Sequence, residues 1–320
     1  LTSRAGAPGR ALEPHAHVHE PRITAGVFAL MVMLVLIWGC NWPILKIAVS
    51  QFEPLTYRAL TMPFAALAMM AIARLSGDSL YLPRRVWLQV AVLSLFNVAL
   101  WNVLVLFGVR SLPAGRSSIL GYTMPVWSVL FAQFLLHEPL SRRKLLGLAC
   151  GMIGMATLLG EDIGNLGRTP EAALLILAGA ASWGMGTVLL RKWKLPIPQN
   201  TLSGWMLLLG FVPVPLLMPF FSTQPLHMPD GAGLFAGFYS IFIAGALAHW
   251  SWFHLVRRVP IIVSSMISLP VPVVGVFGGM LLFGEQPGAG EWVALVFVLI
   301  GVVAVLWQPR PEGATGAKHD

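Results

Sequence analysis

Charge is what this sequence has least of. Only 11% of its 320 residues are Asp, Glu, Lys or Arg, against roughly a quarter in a soluble domain. Cysteine is nearly absent: Cys40 and Cys150 both lie inside apolar runs, so there is no disulfide framework, no metal-ligand spacing and no redox pair. No Gly-x-x-x-x-Gly-Lys-Ser/Thr loop occurs, which argues against nucleotide use by this chain. Acid deep inside an apolar run is missing too. All thirteen carboxylates (Glu13, Glu20, Glu53, Asp78, Glu138, Glu161, Asp162, Glu171, Asp230, Glu285, Glu291, Glu312, Asp320) fall at run ends, in loops or in tails. Cation-drug exchange and carboxylate-based proton coupling need a buried acid, so both are disfavoured. Intramembrane proteolysis needs two deep Asp residues or a His-Glu-x-x-His helix, and neither is present. Ser117 and Ser264 have no deep acid to complete a triad, so the chain does not read as an enzyme. No cofactor or metal is implied; His15, His17 and His19 stand in a polar, Pro-containing stretch that reads as a disordered tail.

What is abundant is apolar: 57% of the chain. Runs of the ~20 residues that a bilayer crossing needs fall at 23–47, 54–74, 86–108, 114–136, 145–160, 170–190, 199–220, 232–256, 260–283 and 289–307. The expected fold is therefore an all-α polytopic membrane protein with ten transmembrane helices. The first run lacks a following small-residue cleavage site and reads as an uncleaved span. The net charge of +8 is topological rather than a nucleic-acid footprint. With the N-terminus inside, the cytoplasmic segments collect 16 of the 21 basic residues, and the positive-inside rule then places both termini in the cytoplasm of an inner (plasma) membrane protein. The expected partners are the bilayer and a small-molecule substrate, with the chain acting as a monomer.

The chain also contains itself twice. A shift of 147 residues lays Val109, Arg110, Pro113, Ser117, Ser118, Pro125 and Val126 on Val256, Arg257, Pro260, Ser264, Ser265, Pro272 and Val273. Without a gap, the same shift pairs Glu138 with Glu285 and Gly154 with Gly301; 14 of 52 positions over 109–160 are identical. Near the first run the shift is 145, and Trp38-Gly39 falls on Trp183-Gly184, Lys46 on Arg191. Five runs per copy is an odd number, so the copies face opposite ways. Two inverted five-helix repeats around a central cavity are the architecture of alternating-access carriers. The expected organisation is a tail at 1–22, a first repeat at 23–160, a second at 170–307 and a tail at 308–320.

Several motifs carry a resemblance. WGCNW in the first run, SWG in the sixth, SILGYTMPVWSVLFAQFLLHEPLSRRKLLG across the fourth and fifth, and SSMISLPVPVVGVFGGMLLFGE in the ninth are together similar to the EamA-type transporters of the drug/metabolite transporter superfamily. Within that superfamily the aromatic content of the candidate pore positions resembles the YddG-type exporters of aromatic amino acids. The resemblance implies ten helices around a central cavity, the fifth and tenth placed peripherally.

Candidate transport residues come from helical spacing, since positions three, four and seven apart share a face. Trp38, Asn41 and Trp42 line one stripe of the first run, where an Asn cannot face lipid without losing its hydrogen bonds. Asn97 and Trp101 repeat the pattern in the third run and Trp183 and Thr187 in the sixth, and the eighth adds His249, Trp250 and Phe253. Ser117 and Tyr122 lie along one side of the fourth run, Ser264 along the ninth. Pro43, Pro125, Pro270 and Pro272 are candidate hinges. The balance of polarity leaves a neutral or zwitterionic solute, best matched by an aromatic or bulky neutral amino acid. Trp and Tyr faces would cover its side chain or ammonium. Gly147-x-x-x-Gly151 and Gly275-x-x-x-Gly279 read as sites of close helix approach.

Overall fold

A computed structural model describes residues 24–137, 141–164, 170–222, 228–256 and 270–306. These residues are helical throughout apart from short connections, and no strand occurs among them. Eight helices are long and apolar enough to cross a membrane, and two shorter apolar helices follow at Val271–Phe283 and Ala289–Leu306. They correspond in order to the ten apolar runs.

The first span is Ala25–Gln51, started by Thr24, whose hydroxyl accepts from the Val27 amide, and it runs unbroken through Pro43. The second is Pro54–Leu75, with proline at its first position, where a missing N–H costs nothing. The third span is not one α-helix. It is Trp87–Ser94, a π-helical segment Leu95–Leu100, and Trp101–Ser111. The fourth breaks at Tyr122–Thr123 into Ala114–Gly121 and Met124–Leu135, because Pro125 cannot donate into the preceding turn. The fifth is Arg142–Gly164, longer at both ends than the apolar run that predicts it. Charged Arg142, Arg143, Lys144 and Glu161 belong to its terminal turns, where long charged side chains reach toward the interface.

The sixth span is Pro170–Trp193. The seventh breaks before Pro213 into Gln199–Phe211 and Pro213–Phe221. The eighth is Gly231–Phe238, a second π-helical segment Tyr239–Leu247, and Ala248–Val256. Its start is capped by Asp230, whose carboxylate accepts from the Gly233 amide at 2.9 Å. The two π segments end at Leu100 and Leu247, positions that the 147-residue shift superimposes, so the inverted repeat extends to a local distortion of the backbone.

The repeat extends to packing as well. The first span lies against the ninth and the sixth against the fourth. The glycine of each Trp-Gly pair makes this possible. A Cβ on Gly39 would overlap the Val274 side chain, and one on Gly184 would come within 2.9 Å of Trp127 Cβ and 3.0 Å of the Ser128 amide; Trp127 and Val274 are themselves 147 residues apart. The fifth span packs on the tenth, where Gly301 approaches the Gly147 carbonyl and the Gly151 amide. Gly275 and Gly279 bring the ninth span onto Ser118 and Gly115 of the fourth.

The connections at 52–53, 112–113 and 284–288 share one end of the bundle, called here the Pro113 end; those at 76–83 and 194–198 share the other. At the Pro113 end the Lys46 ammonium donates to the carbonyls of Val109 (2.9 Å), Arg110 (3.0 Å) and Leu112 (2.8 Å), filling the open acceptors at the end of the third span. The Glu285 carboxylate accepts from the amides of Ala114 (2.6 Å) and Gly115 (3.0 Å), capping the fourth span from the second repeat. Gly284 positions it, holding a left-handed φ of 63° at the end of the ninth helix. The equivalent residue of the first repeat, His137, is also left-handed, at φ 53°. Glu138, which follows it, lies outside the described residues.

Candidate functional site

The sequence predicts an aromatic-lined centre, and the structure brings four of the predicted aromatics into one row. Trp183 of the sixth span lies 5.3 Å from Trp101 of the third, ring centre to ring centre. Trp101 lies 6.3 Å from Trp42 of the first, edge to face. Trp42 lies 6.4 Å from Tyr122 of the fourth. Each helix contributes one ring, and each contact has the tilted or edge-to-face geometry that aromatic quadrupoles prefer. Trp42 is buried, held over Gly121, where a Cβ would meet its ring. Trp101 and Trp183 remain half-buried. Trp38, one turn before Trp42, makes a separate pair with Trp252 of the eighth span at 5.5 Å.

Polar groups beside this row differ in how far they are engaged. Asn41 is half-buried and has no hydrogen-bond partner among the described residues. Tyr122 is nearly buried and its hydroxyl likewise has none. Thr187 is half-buried and donates to the Trp183 carbonyl at 2.9 Å. Asn97 is buried; its amide nitrogen donates to the Trp183 carbonyl at 3.3 Å, and its carbonyl oxygen has no partner. The Asn97 side chain fills the space that a Cβ on Gly186 would occupy, so it joins the third span to the sixth. Ser182 reinforces that joint by donating to the Phe96 carbonyl at 2.6 Å, one of the carbonyls that the π segment displaces from regular helical pairing.

The same device recurs in the second repeat with different chemistry. Asn102 follows the first π segment and donates to the Val98 carbonyl at 2.8 Å. His249, 147 residues later, follows the second and places Nδ1 3.2 Å from the Ala244 carbonyl. A carbonyl only accepts, so Nδ1 is the donor in that contact. His249 is half-buried.

Other predicted residues are placed elsewhere. Ser117 is fully buried, and its hydroxyl donates to Pro113 of its own helix at 2.8 Å, so it presents nothing to a cavity. Trp250 is 42% exposed and turns toward a groove lined by Ile72, Leu75, Ser76 and Leu247. Trp252, two residues on in the same helix Ala248–Val256, is the tryptophan that meets Trp38 of the first span. Ser264 lies outside the described residues. Of the candidate hinges, Pro43 sits inside a continuous helix and packs against Gly278. Pro125 follows the break in the fourth span. Pro270 caps the ninth helix, and the buried Pro272 carbonyl accepts from Ser118 at 3.2 Å.

A charged cluster outside the aromatic row has no counterpart in the predicted site. Arg116, buried in the fourth span, pairs with Glu161 of the fifth at 3.1 Å and Glu291 of the tenth at 2.7 Å, and also donates to the Leu158 carbonyl. It braces three helices at the Pro113 end.

Comparison with known proteins bears on the fold and its repeat. The family model described as "EamA-like transporter family" matches residues 25–160 and again 171–307. The chain is 27% identical over 283 residues to the uncharacterized inner membrane transporter YedA of Escherichia coli (strain K12), covering 87% of this chain and 90% of that protein. It is 24% identical over 281 residues to the probable amino-acid metabolite efflux pump of Salmonella typhimurium, covering 85% and 92%. A solved crystal structure superposes with a TM-score of 0.62 at 20% identity, over 87% of this chain and 95% of that one. That likeness speaks to the fold.

Proposed function

We propose, from the premise that this chain belongs to the EamA-like transporter family, that it moves neutral or zwitterionic solutes with a bulky apolar body, best matched by aromatic amino acids, across the membrane by alternating access. The observation that carries the reading is the row Trp183–Trp101–Trp42–Tyr122, drawn from four spans of both repeats, with the partnerless Asn41 amide on the same helix as Trp42. Rings at these spacings give flat apolar faces for a side chain and electron-rich faces for an ammonium group. Free amide and hydroxyl groups offer hydrogen bonds that a solute makes in place of water. The named activity of the Salmonella typhimurium relative as a probable amino-acid metabolite efflux pump is consistent with this class. Export as the working direction, a cytoplasmic N-terminus and action as a carrier rather than a channel or an enzyme belong to the same proposal.

Counterflow in proteoliposomes tests it. Preloaded tryptophan, phenylalanine, threonine or methionine should drive saturable uptake of the labelled solute, with the aromatic pair preferred. Trp101→Ala should reduce exchange at least tenfold, because the ring at the middle of the row is lost. Linear, non-saturable flux without counterflow would indicate a channel, and no exchange of any amino acid would overturn the substrate class.

A further inference from the structure

Three cations lie on the interior side of the bundle: Lys46, Arg58 and Arg116. Two are fully engaged. Lys46 serves three carbonyls, and Arg116 is paired with two carboxylates. Arg58 is not. Among the described residues it has no carboxylate within ion-pair distance, and the neighbouring Tyr57 ring lies 5.4 Å from the guanidinium carbon. Its Nε is completely buried without a hydrogen-bond partner.

The side chain does not escape to lipid. At 100° per residue, Arg58 projects from the middle of the buried face of the second span. Tyr57, Thr61 and Ala65 flank it on one side, Leu55, Met62 and Met69 on the other, and all six are buried. The outward face carries Leu60, Phe64 and Leu67, each more than 40% exposed. Arg58 itself is only partly buried. The surface it keeps lies near the Pro113 end, four residues after the span begins.

The second span is tied to the first, beside Trp38, through the eighth. Tyr57 donates to the Ala236 carbonyl at 2.9 Å and meets the Ser240 hydroxyl at 2.5 Å; the next residue, Tyr239, donates to the Ile37 carbonyl at 2.6 Å, beside Trp38. A guanidinium that faces the bundle with its Nε enclosed and no carboxylate beside it is a candidate site for an anionic group. Its planar fork matches a carboxylate. We infer that Arg58 binds the carboxylate of the transported solute, making the substrate class aromatic compounds that carry a free carboxylate. This rests on the proposed function and narrows it.

The test compares, in proteoliposomes of wild type, Arg58→Gln and Arg58→Lys, the inhibition of labelled tryptophan exchange by tryptophan, its amide, and phenylpyruvate, which has an aromatic ring and a carboxylate but no amine. Thermal stabilisation by each compound in detergent gives a second readout that does not need transport. Wild type should favour tryptophan over its amide by about 10- to 100-fold, the loss expected for one charge-assisted hydrogen bond. Arg58→Gln should bring that ratio close to one, and Arg58→Lys should recover part of it. Because the ratio is the readout, a poorly folded fraction does not imitate the effect. A wild-type ratio near one, or a ratio unchanged in Arg58→Gln, overturns the inference and leaves the aromatic reading standing. Arg58-dependent stabilisation by phenylpyruvate without any by amino acids keeps the inference and overturns the amino-acid reading. No stabilisation or exchange by any carboxylate overturns both.

Discussion

Arg116 shows how far one side chain can matter away from the aromatic row. Its guanidinium is buried with Glu291 almost equally enclosed, so truncating it to Met strands a carboxylate without its partner. Arg116→Met should lower stability by about 3–5 kcal/mol, the range for breaking a buried ion pair from one side. Adding Glu291→Gln should restore part of the loss, and thermal unfolding in detergent reads both. His137 offers the opposite sign. Its left-handed φ costs a side-chain-bearing residue about 1–2 kcal/mol. His137→Gly, copying Gly284 of the second repeat, should raise the melting temperature, since the imidazole it removes is exposed. At this scale the sequence was readable in part. Trp42, Trp101, Tyr122 and Trp183 could be named because they recur at helical spacing in related spans. Ser117 could not be separated from Asn41 in the same way, since a hydroxyl can turn back onto its own helix and an amide buried in a stripe looks identical from sequence.

Elements were legible as spans and illegible as distortions. Apolar length identifies a crossing helix, but nothing in LFNVAL or YSIFIAGAL announces a π segment, and the bond from Ser182 of another helix to the Phe96 carbonyl is equally invisible in the run itself. The Trp-Gly pairs were readable as a repeat, and the structure supplies the reason for the glycine. Gly184→Ala brings a methyl within 3.0 Å of the Ser128 amide, and Gly39→Ala drives one into Val274. Each should cost about 1–3 kcal/mol, while Gly26→Ala, which meets nothing within 4 Å, should leave the melting temperature unchanged.

Across the whole molecule, the two repeats meet at the Pro113 end through Gln51, which donates to Asp230 at 3.1 Å. A Cβ at Gly233 would lie 3.2 Å from that of Gln51, close to the separation of a disulfide. Gln51→Cys with Gly233→Cys, in a background with Cys40 and Cys150 replaced by Ala, should crosslink under mild oxidation once Pro229 shifts slightly. Counterflow should stop in the oxidised protein and return on reduction, if solutes pass by separation of the first and eighth spans at that end. Exchange that survives complete crosslinking would place the moving parts elsewhere.

The Arg116 brace is also where the two copies part company. The 147-residue shift puts Val263 opposite Arg116 and Lys144 opposite Glu291, so the far end of the bundle cannot build the same triad. Two identical inverted halves would make the inward- and outward-facing conformers degenerate, with an interconversion constant of one. A brace present at one end removes that degeneracy if it opens in only one of the two conformers. On the proposed function, a carrier without an energy source would then show different apparent affinities and maximal rates on its two faces, with their ratios tied by the Haldane relation. The lopsided brace would set the concentration range over which each face works and leave the direction of net flux to the gradient.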